Sequence, residues 1–150
     1  YSKLGVAASV QPVHFASDSC GMAQKRLGNT MKDAYLWKTL LENNVQIVAG
    51  SDFPVESPSV IEGIRAFLHR QPLNSDEPIF QQEKLSLNEA LSAYCVSPHD
   101  ALGDSSQKGS LAKGKYADIA VLSDSLKKLE SDPKANIEVL STFVGGEVIY

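Results

Sequence analysis

Val45-Gln46-Ile47-Val48-Ala49-Gly50-Ser51-Asp52-Phe53-Pro54 is the stretch on which the fold turns. Its first six residues are nearly all apolar, the pattern of a strand covered on both faces rather than one alternating between core and water. The next four make a turn that carries one acid, and Pro54 restricts the backbone there. Upstream, Ala34, Leu36, Trp37, Leu40 and Leu41 are spaced as one face of a helix. Thr30-Met31-Lys32-Asp33 reads as the start of that helix, with Thr30 as N-cap and an acid three residues on. Asn43-Asn44 closes it. Further upstream, Val6-Ala7-Ala8-Ser9-Val10 is a run of small and β-branched residues. It stops at Gln11-Pro12-Val13-His14, because proline ends central strands. The polar stretch to Asn29 reads as a loop. Strand, loop, helix, strand is a βαβ unit, and a parallel pair puts both strand ends on one side.

Downstream, a loop from Ser51 to Ser57 leads to a helix expected over Pro58–His69, with Pro58 suited to its first turn. Arg70 to Lys84 is polar and loop-like. Ser86-Leu87-Asn88-Glu89 is a capping box that opens a helix through Tyr94. Ser97-Pro98 starts another, ending near Gly103. The texture changes after Asp104. Lys108 to Lys115 is rich in Gly and Lys, and Ala117–Leu122 reads as a strand. Ser123 to Asn136 has room for a little helix. Val139–Val144 and Glu147–Tyr150 flank Gly145-Gly146, a two-residue hairpin signal. The expected organisation is a βα part over residues 1–107 and a small β-unit over residues 108–150.

At 150 residues, 43% hydrophobic and 21% charged, the chain can bury the core of one domain. Its net charge of −4, with 14 scattered Lys and Arg residues, argues against nucleic acid or an anionic membrane as partner. Cys20 and Cys95 lack Cys-x-x-Cys spacing. Buried thiols in an intracellular, reducing compartment are expected, not a disulfide framework or a zinc knuckle. No run is apolar enough to span a bilayer. Tyr1-Ser2-Lys3-Leu4-Gly5 reads as a helix end with a glycine cap running straight into a strand. The sequence is therefore expected to be part of a longer protein, in which an upstream targeting segment stays open.

Asp52 follows the end of a buried strand. An acid there can serve a reaction, or it can cap a turn or the next helix, and the residues alone leave both open. His14 ends the preceding strand on the same rim. It reads either as a substrate contact or as a loop histidine with a structural hydrogen bond. Asp18, Lys25 and Arg26 read as solvated loop residues. Tyr35 and Trp37 read as packing residues, and His69 and His99 as surface residues. Gly109 to Gly114 is no phosphate loop, because Tyr116, not Ser or Thr, follows Lys115.

Several signatures fall in one order: Ser9-Val10-Gln11-Pro12-x-His14, Ala34-Tyr35-x-Trp37, Gly50-Ser51-Asp52-x-Pro54-Val55, Glu89-Ala90-Leu91-x-Ala93-Tyr94, Gly109-Ser110-Leu111-x-x-Gly114-Lys115-x-Ala117-Asp118 and Val144-Gly145-Gly146-x-Val148-x-Tyr150. Together they resemble the C-terminal part of the amidohydrolase superfamily, in the branch of N-substituted formamide deformylases and plant long-after-far-red-like proteins. The resemblance implies an α/β fold: the last two strands and helices of a (β/α)8 barrel, plus the returning half of a small β-domain. It implies catalytic groups at the C-terminal strand ends. It further implies hydrolysis of an amide or N-formyl carbon–nitrogen bond with a divalent metal, zinc as one or two ions. Asp52 would be metal ligand and proton shuttle, and the partner a small amide-type substrate. The family's His-x-His pair and its other ligands lie outside this sequence. A catalytically inactive scaffold with a regulatory or binding role is the rival reading, since fold does not fix function.

Overall fold

The computed structural model describes residues 1–150. Strand β1 (Ala8–Val10) pairs in parallel with β2 (Ile47–Ala49), Ala8 opposite Ile47 and Val10 opposite Ala49. Both strands are shorter than the sequence suggests. The parallel register confirms the βαβ unit and sets the two C-terminal ends side by side. Burial on both faces holds for Ala8 and Ile47 but not for Ser9, which is exposed.

The connection between these strands is not the expected loop. Pro12 opens helix α1 (Pro12–Asp18) rather than merely ending β1, and α2 (Met22–Leu27) follows. Proline suits a first helical turn, where its missing N–H is not needed. Thr30 does not cap a helix. It sits within a 3-10 stretch, Gly28–Asp33, and its hydroxyl donates to the Leu27 carbonyl at 2.8 Å. Tyr35 then takes φ 55°, left-handed backbone that interrupts any helix, so α3 is only Trp37–Glu42.

Helix α4 (Val60–His69) is capped by Ser59, whose hydroxyl accepts from the Glu62 N–H. In the capping box at α5 (Leu87–Leu91), Ser86 accepts from the Glu89 N–H while the Glu89 carboxylate accepts from the Ser86 N–H at 2.8 Å. A π turn, Ser92–Val96, joins α5 to α6 (Ser97–Leu102), which ends on Gly103 at φ 79°. Lys38 donates to Glu89 at 2.6 Å, tying α3 to α5. Burial alone would raise the Glu89 carboxyl, but the Lys38 and Ser86 hydrogen bonds outweigh it and hold it below the usual range.

The C-terminal residues form an antiparallel sheet ordered β3 (Ile119–Leu122), β4 (Val139–Val144), β5 (Glu147–Val148). Gly145 and Gly146, at φ 58° and 88°, make the β4–β5 turn, which needs positive φ at both positions. Helix α7 (Lys128–Ser131) precedes β4. The chain is thus a mixed α/β structure with a two-stranded and a three-stranded sheet and no closed barrel. No helix is long and apolar enough to cross a membrane.

One core joins these parts. Phe15, Trp37, Ile64 and Phe67 are all about fully buried, with Leu85 and Leu87 beside them and Leu129 and Ile137 from the C-terminal stretch. The rings meet edge to face, Phe15 on Trp37 at 5.4 Å and Trp37 on Phe67 at 4.8 Å, arrangements that aromatic quadrupoles favour. Gly63 lets α4 approach its neighbours. A Cβ there would lie 1.8 Å from the Tyr94 hydroxyl and 3.2 Å from Pro12 Cγ. Alanine is the better helix former by about 1 kcal/mol, yet overpacking costs about 1–3 kcal/mol. We expect Gly63→Ala to lower the denaturant midpoint of the intact protein; an unchanged or raised midpoint would show that Tyr94 moves aside freely.

Candidate functional site

The two parallel strands deliver two short segments to one rim. After β1 the chain turns directly into α1, whose first turn carries His14. After β2 it runs through Gly50 and Ser51 to Asp52, which takes φ 59°. Left-handed backbone is costly for most residues, and aspartate is among those that tolerate it. The turn is secured locally. The Val55 N–H donates to the Asp52 carbonyl at 2.9 Å, and the Phe53 N–H donates to the Ser51 hydroxyl at 3.2 Å. The Phe53–Pro54 peptide is cis.

The Asp52 side chain is 60% exposed, and its carboxylate accepts no hydrogen bond within the chain. It caps neither its own turn, where Ser51 accepts, nor α4, where Ser59 does. Three other acids, by contrast, are consumed by structure. Asp18 caps α2 by accepting from the Met22 and Ala23 N–H groups at 2.9 and 3.2 Å. Glu83 accepts from the Thr39 N–H and hydroxyl. Asp118 accepts from the Gly145 N–H at 2.8 Å.

His14 Nε2 lies 3.9 Å from Asp52 Oδ2, too far for a hydrogen bond. It is shut off from solvent and has no partner in the chain. One turn along α1, Ser17 donates to Glu56 Oε1 at 2.5 Å and fastens the far side of the Asp52 loop. His14 also lines a hollow of about 480 Å³ along β1, walled by Val10, Tyr35, Trp37 and Leu40. No group of three or more His, Cys, Asp or Glu side chains in the chain could hold a metal ion. The Asp52 carboxylate, exposed and free of other bonds, nevertheless has the chemistry of a single hard-oxygen ligand to a metal held by further groups.

Several other expectations need correction. Asp18 is not simply solvated, since it caps α2, whereas Lys25 and Arg26 are exposed on that helix. His69 and His99 are half-buried and bonded: His69 Nε2 meets the Leu129 carbonyl at 2.6 Å, and His99 Nδ1 meets Asp104 at 2.8 Å. Cys20 and Cys95 are exposed, free thiols rather than buried ones. Trp37 is buried as expected. Burial, and then the charge of Asp18, pushes the Tyr35 hydroxyl up. Lys115 clamps the glycine-rich segment by donating to the Ser105 and Lys108 carbonyls at 2.6 and 3.0 Å.

Sequence reasoning missed Arg70. It sits at the end of α4, fully buried, with its guanidinium 4.1 Å above the Phe15 ring and 4.6 Å from the Trp37 ring.

A model of the amidohydrolase family matches residues 1–150. The chain is 35% identical to Protein LONG AFTER FAR-RED 3 of Arabidopsis thaliana, over all of its own length and 26% of that protein. It is 28% identical to YtcJ of Bacillus subtilis, named as an amidohydrolase, over 99% of this chain and 28% of that protein. It is 27% identical to the N-substituted formamide deformylase of Arthrobacter pascens, over 75% of this chain and 21% of that protein. The chain thus spans about a quarter of the length of these curated relatives. With a match over its full length, this chain belongs to the amidohydrolase family.

Proposed function

We propose that the protein of which this chain is part hydrolyses an amide or N-formyl carbon–nitrogen bond in a small molecule, with Asp52 as metal ligand and proton carrier. The observation that carries this reading is the Asp52 carboxylate, held on left-handed backbone at the end of β2 and bound to nothing else in the chain. The family match supports the reaction class, and one relative is named for removing a formyl group from nitrogen. In this reading β1 and β2 are the last two strands of a (β/α)8 barrel, which puts Asp52 at its catalytic rim. Residues 108–150 are then the returning half of a small β-domain. A divalent ion, zinc in this proposal, would supply Lewis acidity that polarises the carbonyl and acidifies water.

Asp52 supplies the proton traffic. Water adds its oxygen to the carbonyl carbon and gives a proton to the Asp52 carboxylate. The C–N bond then breaks, and Asp52 returns that proton to the departing nitrogen. The products are a carboxylic acid, formic acid in the N-formyl case, and an amine.

The test is release of amine by the intact protein from N-substituted formamides and simple amides, before and after a chelator. Turnover should vanish with the chelator and return with added zinc. Turnover indifferent to the chelator would contradict the metal-assisted route. A metal-loaded protein that releases no amine from any of these substrates would contradict the hydrolase and favour an inactive scaffold.

A further inference from the structure

Building on the proposed role of Asp52, we propose that His14 positions the Asp52 carboxylate, donating from Nε2 to Oδ2 in the working enzyme, instead of touching substrate. A polar atom sealed from solvent with no partner is costly and calls for an explanation. His14 Nε2 is such an atom, and the nearest charged group facing it is Asp52 Oδ2, 3.9 Å away. Asp52 is exposed and unbonded, so a side-chain rotation that closes the gap by about 1 Å forms a normal N–H···O bond. The other oxygen stays free for a metal or a proton.

The surrounding geometry favours the same pairing. His14 and Ser17 are three residues apart on α1 and so share a helix face. Ser17 already grips Glu56, the acid four residues beyond Asp52 in the same loop. One face of α1 thereby meets the Asp52 loop at two points, one made and one open. A histidine placed in this way fixes a carboxylate's orientation, and losing such a partner typically lowers metal affinity or activity about 10–100-fold.

The experiment compares His14→Ala, His14→Gln and Asp52→Asn in the intact protein, measuring zinc affinity by competition with a chromogenic chelator, and kcat and KM separately. His14→Ala should weaken zinc binding and lower kcat, each about 10–100-fold, with KM unchanged. His14→Gln, whose amide N–H reaches the Nε2 position, should recover most of both. Unchanged zinc affinity and kcat in His14→Ala would overturn the proposal. So would a change in KM alone, which would make His14 a substrate contact. Failure of Gln to rescue would also overturn it. If Asp52→Asn retains full turnover, the reading of Asp52 itself fails; if only the His14 variants behave as wild type, the positioning role alone fails.

Discussion

Arg70→Ala is expected to lower the stability of the intact protein by about 3–5 kcal/mol, the range for emptying a large buried site. The Arg70 side chain is fully buried, its guanidinium packed against both the Phe15 and the Trp37 rings. Its NH1 donates to the Tyr35 carbonyl at 3.0 Å. Truncation leaves a cavity, unstacks two rings and strips that carbonyl of its donor. The charge itself works the other way. Burial pulls the guanidinium down to about 10, and only the charge of Glu83 acts to raise it. Its ionised form is therefore disfavoured in the fold, and its packing must outweigh that cost. NH2 has no partner at all. A second variant separates the two contributions. Arg70→Met fills much of the space without a charge, and we expect it to cost clearly less than Ala, about 1–2 kcal/mol, as buried ion groups often can be replaced by apolar ones of similar volume. Denaturant unfolding of both variants checks this. A Met variant as unstable as the Ala variant would mean that the cation–π stack and hydrogen bonds dominate, not the filled volume.

Arg70 also shows where sequence legibility ended. A charged residue in a polar, proline-containing stretch reads as solvated, and nothing local contradicts that. Its burial comes from two rings at positions 15 and 37, distant in sequence and brought together only by the fold. Local signals fared better. The Ser86–Glu89 box and the Gly145-Gly146 turn are complete within a few residues, and both form as read. The parallel β1–β2 pair was legible because apolar runs separated by a crossover have few alternatives. The segment between them was not. Pro12 can end a strand or begin a helix, and the choice depends on whether the following residues find a core. Val13, Phe15 and Ala16 do, so α1 forms. The false start at Thr30 has a different cause. The apolar spacing through Trp37 is real, but Tyr35 adopts left-handed backbone and cuts the helix in two.

Asp52→Asn is expected to lower kcat/KM for carbon–nitrogen hydrolysis by about 10³–10⁴-fold, the upper range for losing an acid–base group together with its role as a ligand. The fold should be nearly unaffected. Asparagine matches aspartate in shape and tolerates the φ of 59° that position 52 requires. The exposed carboxylate makes no hydrogen bond that asparagine would break, and surface changes of this kind shift stability by about 0.5 kcal/mol or less. The turn bonds at Val55 and Phe53 involve backbone and Ser51, which the substitution leaves alone. Alanine would be a poorer probe, since it adds left-handed strain of about 1 kcal/mol or more to the chemical loss. Circular dichroism and denaturant unfolding should therefore superimpose on wild type while turnover collapses.

The position of Asp52 was legible because a parallel strand end in an α/β fold is where sites are built. That it escapes every structural hydrogen bond was not legible, since Ser51 and Ser59 could equally have left the capping to it. Nor does any sequence pattern reveal that the nitrogen of His14 is sealed off beside it.

The measurement that bears most directly on the account is kcat for amine release by the Asp52→Asn intact protein, at saturating substrate and zinc, with folding verified on the same sample. A folded variant whose kcat is about a thousandth of wild type or less is the predicted result. A folded variant that turns over at the wild-type rate would contradict it.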